Sequence, residues 1–107
     1  MDEIRTDTKP HIGCISGAVE VLSTKWTPLV IRELAEGPRR FSELERAIEG
    51  INPRILCQRL TLLEEKGIIA PTESCTSHRP VYELTAKGTD LLPILEQMAS
   101  WGDKYDG

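Results

Sequence analysis

Long apolar runs are missing from this 107-residue sequence. Its longest apolar stretches extend over a few residues, whereas a membrane-spanning helix needs about 20. Charged residues interrupt the N-terminus before any apolar stretch, beginning with Asp2, Glu3 and Arg5, so the pattern of a signal peptide is missing too. We therefore expect a soluble, cytoplasmic protein with no membrane partner.

Cysteine and histidine are scarce, with three and two residues respectively. The cysteines are odd in number and form no Cys-x-x-Cys pair, so a disulfide framework is not expected. Cys75 and His78 have ligand-like spacing. With Cys14 or His11 they could hold zinc, but structural zinc needs four ligands, and we expect no metal.

Catalytic patterns are also missing. The sequence has no histidine–acid pair, no glycine-rich phosphate loop and no nucleophile elbow. We expect neither an enzyme nor a bound cofactor.

A net positive charge is missing as well, since 13 basic residues stand against 17 acidic ones. The acidic excess lies in the two ends, residues 1–23 and 85–107. Residues 24–84 carry nine charges of each sign, and no acidic residue occurs from Asn52 to Leu63. The overall charge of −4 therefore does not exclude a nucleic-acid partner for the central segment.

Glycine and proline divide the first two thirds of the chain into helices. Trp26, Val30 and Leu34 repeat every four residues as one apolar stripe, and Gly37-Pro38 ends that helix. Asn52-Pro53 is typical of a helix start, with Asn as N-cap and Pro in the first turn. The predicted helices span residues 17–23, 25–36, 41–49 and 53–66. Two of them form a helix-turn-helix over residues 38–67.

The pattern changes after Gly67. Residues 68–74 and 80–84 contain apolar residues, and the segment between them is polar. This pattern predicts a β-hairpin with a polar tip, in which Pro71 indicates an edge strand. A last helix follows over residues 85–104, with Pro93 expected to kink it or to separate its first turns. The predicted order is α-α-α-α-β-β-α, a mainly α winged helix-turn-helix. We expect one domain over residues 1–107, with residues 1–12 frayed, a wing at 68–84 and a dimerisation helix at 85–105.

The fourth helix has two unlike faces when its residues are placed 100° apart. Ile55, Leu56, Leu60, Leu62 and Leu63 share the arc that should pack on the domain. The opposite face carries Arg54, Cys57, Gln58 and Thr61. Arg and Gln can bond guanine and adenine edges in a major groove, so we predict that this face reads bases, the alternative being an ordinary solvated face. Arg59 falls on the packed side, where we expect a structural role at least as much as a DNA contact.

Other polar residues lie where such a fold meets a DNA backbone. Candidates for phosphate or minor-groove contact lie at four places. These are the turn before the third helix, the start of that helix, the start of the fourth helix and the hairpin tip. These candidates are Arg39, Arg40, Ser42, Asn52, His78 and Arg79.

Apolar residues nearly encircle the last helix. They are Leu91, Leu92, Ile94, Leu95, Met98, Ala99 and Trp101. A helix that is apolar all round must be buried on more than one side, and in a small domain a second subunit supplies the extra surface. We predict a homodimer through Leu91, Leu95, Met98 and Trp101, with a helix wrapped by its own domain as the alternative. A two-fold dimer would place its reading helices about 34 Å apart.

Several motifs resemble those of the HxlR-type winged helix-turn-helix regulators, over roughly residues 14–102. They are Lys25-Trp26, Gly37-Pro38-x-Arg40-Phe41-Ser42-Glu43-Leu44, the Ile51-to-Leu63 helix, Tyr82-x-Leu84-Thr85-x-x-Gly88 and Trp101-Gly102. The resemblance implies a homodimeric transcription factor that reads double-stranded DNA at a pseudo-palindromic operator, with dimer contacts from the first and last helices.

The resemblance also implies a signal. Many members carry an N-terminal cysteine that senses oxidants or electrophiles, and Cys14 lies near that position, although Ile15 follows it where the family usually has Pro. We therefore predict a sequence-specific DNA-binding regulator, with cysteine oxidation, an electrophile or a small molecule as the candidate signal. The alternative is a winged-helix protein–protein interaction module without DNA binding.

Overall fold

The computed structural model describes residues 15–72 and 80–106. Within these ranges the helices are α1 (Ile15–Leu22), α2 (Trp26–Leu34), α3 (Phe41–Ala47), α4 (Pro53–Glu65), α5 (Ala86–Thr89) and α6 (Leu92–Asp106). The strands are β1 (Arg39–Arg40), β2 (Ile69–Pro71) and β3 (Val81–Leu84). Nowhere in these ranges is a helix long and apolar enough to cross a bilayer.

The start of α2 is capped by a threonine. Thr24 Oγ1 accepts a hydrogen bond from the Thr27 N–H at 3.2 Å and lies 2.9 Å from the Thr27 hydroxyl oxygen. Thr27 is completely buried, and this contact satisfies its hydroxyl, which would otherwise be costly to bury. Val30 and Leu34 of the predicted stripe are buried, and Trp26 is half-buried against them, which confirms the stripe.

The start and end of α4 follow the predicted signals. Asn52 Oδ1 accepts a hydrogen bond from the Ile55 N–H at 2.9 Å, and Pro53 occupies the first helical position. Gly67 follows the helix with φ +76°, the left-handed conformation that glycine adopts without strain. The N-cap prediction is confirmed, and the helix ends one residue before the expected Lys66.

Aliphatic side chains around the helix-turn-helix form the core. Its buried members are Val21, Val30, Ile31, Leu34, Leu44, Ile48, Ile51, Leu56, Leu60, Leu63, Ile68 and Ile69. Three of these come from α4, so one side of that helix is fixed to the domain. Gly50, in the turn between α3 and α4, has φ +88° and permits the reversal of the chain.

The sheet has three antiparallel strands in the order β1-β3-β2, with Arg39 opposite Tyr82 and Ile69 opposite Leu84. The hairpin strands were expected, and β2 is the edge strand that Pro71 indicated. The placement of Arg39 and Arg40 in a turn was wrong, because they form β1. A two-residue strand has no periodicity of its own, and its pairing with β3 defines it.

The last predicted helix is divided. Thr85 caps α5, where its Oγ1 accepts a hydrogen bond from the Gly88 N–H at 3.2 Å, and α6 begins after Asp90 and Leu91. Pro93 is the second residue of α6, where a missing N–H costs nothing. The observed order is therefore α-α-β-α-α-β-β-α-α rather than α-α-α-α-β-β-α, within the expected mainly α class.

Candidate nucleic-acid interface

The outward face of α4 carries the four predicted base-reading residues. Arg54, Cys57, Gln58 and Thr61 are all exposed. They line one shallow surface depression together with Leu62 and Glu65. We call this surface the α4 face. It is formed because Leu56, Leu60 and Leu63, on the other side of the helix, are buried in the core.

Leu62 differs from its predicted position. It was expected on the packed arc, but it is half-buried and borders the depression of the α4 face. Ile55, at the other margin, is half-buried against the core. The packed arc is therefore narrower than the helical wheel suggested, with Leu56, Leu60 and Leu63 as its centre.

Tyr82 of β3 lies near the α4 face and was not singled out as a site residue from the sequence. Burial raises the pKa of its phenol, and the negative charges of Glu64 and of Cys57 raise it further. The phenol consequently keeps its proton, and thus its hydrogen-bond donor, well above neutral pH. A tyrosine in a β-strand is ordinary, so nothing in the local pattern could have shown this proximity.

Arg59 is half-buried, in agreement with its expected place on the packed side. Its Nε is buried and, among the residues that the structure describes, has no hydrogen-bond partner.

The basic pair before α3 is partly neutralised. The Arg39 guanidinium lies 3.2 Å from Glu36 Oε1 and donates to the Pro38 carbonyl oxygen at 3.3 Å. The Arg40 side chain is exposed. The backbone N–H of Arg40 donates to Glu43 Oε1 at 2.8 Å at the start of α3. Ser42 is half-buried at the second position of α3, at the predicted start of that helix. Arg39 can bind a phosphate only in competition with Glu36.

Several predicted positions lie outside the described residues. These are Cys14, Cys75, His11, His78 and Arg79. The wing-tip contacts, the cysteine sensor and the alternative zinc site therefore stay predictions. Over residues 15–72 and 80–106, no group of three or more His, Cys, Asp and Glu residues is placed to hold a metal ion.

The apolar residues of α6, with Leu91 directly before it, divide into two sets. Leu91, Leu92 and Leu95 are half-buried against the core of their own domain. A second set, at spacings of four, three and four residues, is exposed to solvent. We call it the α6 stripe, and its members are Ile94, Met98, Trp101 and Tyr105. Ile15 and Val19 of α1 are also exposed.

The α6 stripe refines the predicted dimer surface. Met98 and Trp101 belong to it, whereas Leu91 and Leu95 are partly accounted for by packing within the chain. Tyr105 was missed, and its ring lies 5.2 Å from that of Trp101, centroid to centroid. Its spacing from Trp101 was a signal in the sequence, but it lay at the very end of the predicted helix.

A family model for the HxlR-like helix-turn-helix matches residues 21–107. The chain belongs to this family. The match extends from the end of α1 to the end of the chain and so includes the α4 face and the α6 stripe.

The HxlR-like chain is similar to characterised and uncharacterised regulators of Bacillus subtilis (strain 168). It is 36% identical over 91 residues to the uncharacterised HTH-type transcriptional regulator YvaP, covering 82% of each chain. It is 33% identical over 92 residues to the HTH-type transcriptional regulator YodB, covering 85% of this chain and 82% of YodB.

Solved structures show the same fold in regulators. The reduced form of YodB superposes with a TM-score of 0.77 at 30% identity, covering 88% of this chain and 93% of that one. A quinone-bound YodB gives 0.75 at 31% identity, with 87% and 98% covered. The redox regulator HypR in its oxidised form gives 0.75 at 29% identity, with 87% and 97% covered. The HxlR-like chain is, like these relatives, a DNA-binding transcriptional regulator with a winged-helix fold.

Proposed function

We propose that the protein reads a specific operator as a homodimer, with the α4 face in the major groove of each half-site. The carrying observation is the α4 face itself, in which Arg54, Gln58 and Thr61 are exposed opposite a buried leucine row. The helix-turn-helix is fixed to the core by that row, so it presents these side chains on a rigid support.

The side chains of the α4 face can distinguish bases. The Arg54 guanidinium can donate two hydrogen bonds to guanine O6 and N7, and the Gln58 amide can pair with adenine N6 and N7. Thr61 offers a hydroxyl and a methyl group. The Cys57 thiol is exposed between them and adds a small apolar contact surface. The exposed Asn52 holds the Ile55 N–H through its Oδ1, which leaves its amide NH₂ as a donor for a phosphate.

The homodimer is the second part of the proposal. Ile94, Met98, Trp101 and Tyr105 form an exposed stripe along one side of α6, at the 3–4 spacing that two packed helices share. Covering this stripe with its copy would remove large apolar side chains from water. The closed two-fold arrangement would direct two α4 faces at half-sites about one DNA turn apart, ~34 Å.

A thiol-borne signal is the third part. A quinone-bound form of YodB and an oxidised form of the redox regulator HypR have been solved, and these two similar structures support a signal of the same chemical kind in this chain. In this chain the exposed Cys57 lies on the α4 face, where an added group would obstruct the groove, and Cys14 is the other candidate. Replacing each with Ser and measuring DNA affinity before and after a quinone would tell which thiol carries the signal. A cytoplasmic location agrees with such a role.

The test is selection of bound sequences from random duplexes, read with the protein reduced and oxidised. Arg54→Ala should lose about 1–3 kcal/mol of preference at one base position, as expected for a bidentate contact. Arg32→Ala is the matched control, because Arg32 is an exposed arginine on α2 that borders α6 and not the α4 face. If no duplex binds better than random DNA at low salt, the protein is instead a protein–protein interaction module.

A further inference from the structure

The turn that follows α4 is tied to the start of α5 by three successive carbonyl groups. The Lys66 carbonyl oxygen accepts a hydrogen bond from Lys87 Nζ at 2.7 Å. The Gly67 carbonyl oxygen accepts from Thr85 Oγ1 at 2.5 Å. The Ile68 carbonyl oxygen accepts from the Thr85 N–H at 3.0 Å, with Thr85 Oγ1 3.1 Å away. The last carbonyl groups of α4 itself, those of Leu62, Leu63 and Glu64, accept from the N–H groups of Lys66, Ile68 and Gly67, so residues 66–68 connect the end of α4 to the start of α5.

Gly88 brings the two segments into direct backbone contact. A Cβ atom at this position would lie 2.2 Å from the Ile68 carbonyl oxygen and 3.0 Å from Leu84 Cδ2. A side chain larger than hydrogen therefore cannot be accommodated unless α5 moves away from the turn. Because Ile68 is buried in the core, α5 would have to move rather than the turn.

The same turn is also tied to α1. Lys66 Nζ lies 2.7 Å from Glu20 Oε1, and the hydrogen bond and positive charge of Lys66 lower the pKa of the Glu20 carboxyl group. Residues 66–68, directly after the reading helix, thus contact α1 and α5. The helix α1 carries the exposed Ile15 and Val19, and α5 leads within two residues into α6 and its stripe.

We propose that Thr85, Lys87 and Gly88 are positioning residues that set the distance between the two reading helices and so select the half-site separation of the operator. This inference rests on the proposed homodimer. If the α6 stripe holds the two subunits together, the angle between α6 and α4 decides where each α4 face meets the DNA. The contacts of Thr85, Lys87 and Gly88 with residues 66–68 set that angle at the end of α4, together with the packing of Leu92 and Leu95 on the core.

The distance between the two reading helices is sensitive to the contacts that Thr85, Lys87 and Gly88 make with residues 66–68. The 15 residues of α6 extend over about 22 Å at 1.5 Å each. A tilt of α6 by about 10° would displace its far end by about 4 Å, close to the ~3.4 Å rise of one base pair. A small change at Gly88 or Thr85 should therefore change the preferred spacing by about one base pair.

The experiment measures the affinity of the full chain for duplexes that carry two selected half-sites, with the spacer varied one base pair at a time, and for a single half-site. Thr85→Val removes the hydroxyl at nearly constant volume, and Thr85→Ser is its matched control. We expect Thr85→Val to lose at least roughly fivefold of the preference for the wild-type spacing, the weight of one of the hydrogen bonds that its hydroxyl makes, and to keep its single half-site affinity. Gly88→Ala should move the best spacing, and Thr85→Ser should keep it.

The outcomes separate this inference from the proposed function. If the wild type prefers one spacing and Thr85→Val and Lys87→Met keep that preference while their melting temperatures fall, these residues stabilise the fold only and the positioning role is refuted. Should Gly88→Ala not fold, Thr85→Val and Lys87→Met decide the question. A wild type that binds one half-site as tightly as two would refute the homodimeric reading itself, and the positioning role with it.

Discussion

Replacing Trp101 with Ala should separate the subunits of the proposed dimer and leave each subunit folded. Trp101 is 66% exposed in the single chain, so its removal opens no cavity in the core. Its ring lies beside that of Tyr105 on the α6 stripe, on the side of the helix turned away from the half-buried leucines. The side chain therefore matters for a partner surface and hardly at all for the fold of the subunit.

The size of the effect follows from the exposed area. With an exposed fraction of 66% and about 200 Å² for a tryptophan, the partner can cover about 130 Å² in each subunit. At about 25 cal/mol per Å² this is about 3 kcal/mol per subunit, an upper value because the alanine that remains and incomplete coverage reduce it. Since a two-fold dimer loses the contact twice, the upper value for the dimer is about 6 kcal/mol, and we expect its dissociation constant to rise by roughly 100-fold to 10,000-fold.

Sedimentation velocity over a range of protein concentrations measures this constant directly. The matched control is Ser100→Ala, because Ser100 is exposed on the polar side of the same helix and its replacement leaves the stripe intact. Far-UV circular dichroism should show equal helix content in both variants. An unchanged dissociation constant for Trp101→Ala, or an equal weakening by Ser100→Ala, would refute the assignment of the α6 stripe to the dimer.

Three further results are expected. Asn52→Ala removes the cap of α4 and should lower the free energy of unfolding by about 1 kcal/mol. The measurement is urea denaturation at fixed protein concentration, and the control is Asn52→Asp, which keeps an acceptor for the Ile55 N–H. Because the pKa of Tyr82 is raised in the folded protein, its contribution to the free energy of unfolding is complete below the pKa of an unfolded tyrosine and is lost as pH rises towards the folded value. In a pH series of unfolding curves, Tyr82→Phe should reduce this alkaline decrease in the free energy of unfolding. Glu36→Gln frees the Arg39 guanidinium and should tighten DNA binding. The slope of the logarithm of the binding constant against the logarithm of salt concentration, measured by fluorescence anisotropy, should steepen by up to about 0.9. An unaltered slope would exclude Arg39 from phosphate contact.

The elements that the sequence predicted well are those with local signals. Asn52-Pro53 starts α4 because both residues act within one turn of the chain, and Gly67 ends it for the same reason. The separation at Pro93 was anticipated as one of two outcomes, and the structure places the break three residues earlier, at Asp90. In contrast, β1 depends on pairing with residues that lie about 40 positions later, and no local pattern could reveal it.

The site shows the same division between local and long-range information. A helical wheel was sufficient to place Arg54, Cys57, Gln58 and Thr61 on an exposed face, because the period of an α-helix is fixed. The pairing of Arg39 with Glu36 was missed although the two are three residues apart, since the bend at Gly37-Pro38 rather than a regular helix brings them together. The approach of Tyr82 to the α4 face depends on tertiary packing.

The distribution of charge explains how an acidic chain can read DNA. The acidic excess belongs to residues 1–23 and 85–107, which include α1 and α6, while the α4 face carries Arg54 and, at its far end, Glu65 among neutral side chains. The pairing of Arg39 with Glu36 also offsets part of the positive charge before α3. Since non-specific affinity for DNA grows with the number of phosphates that are neutralised, such a surface binds random sequence weakly. In the proposed homodimer, base contacts at Arg54 and Gln58 and their repetition in a second subunit would then supply a large share of the binding energy.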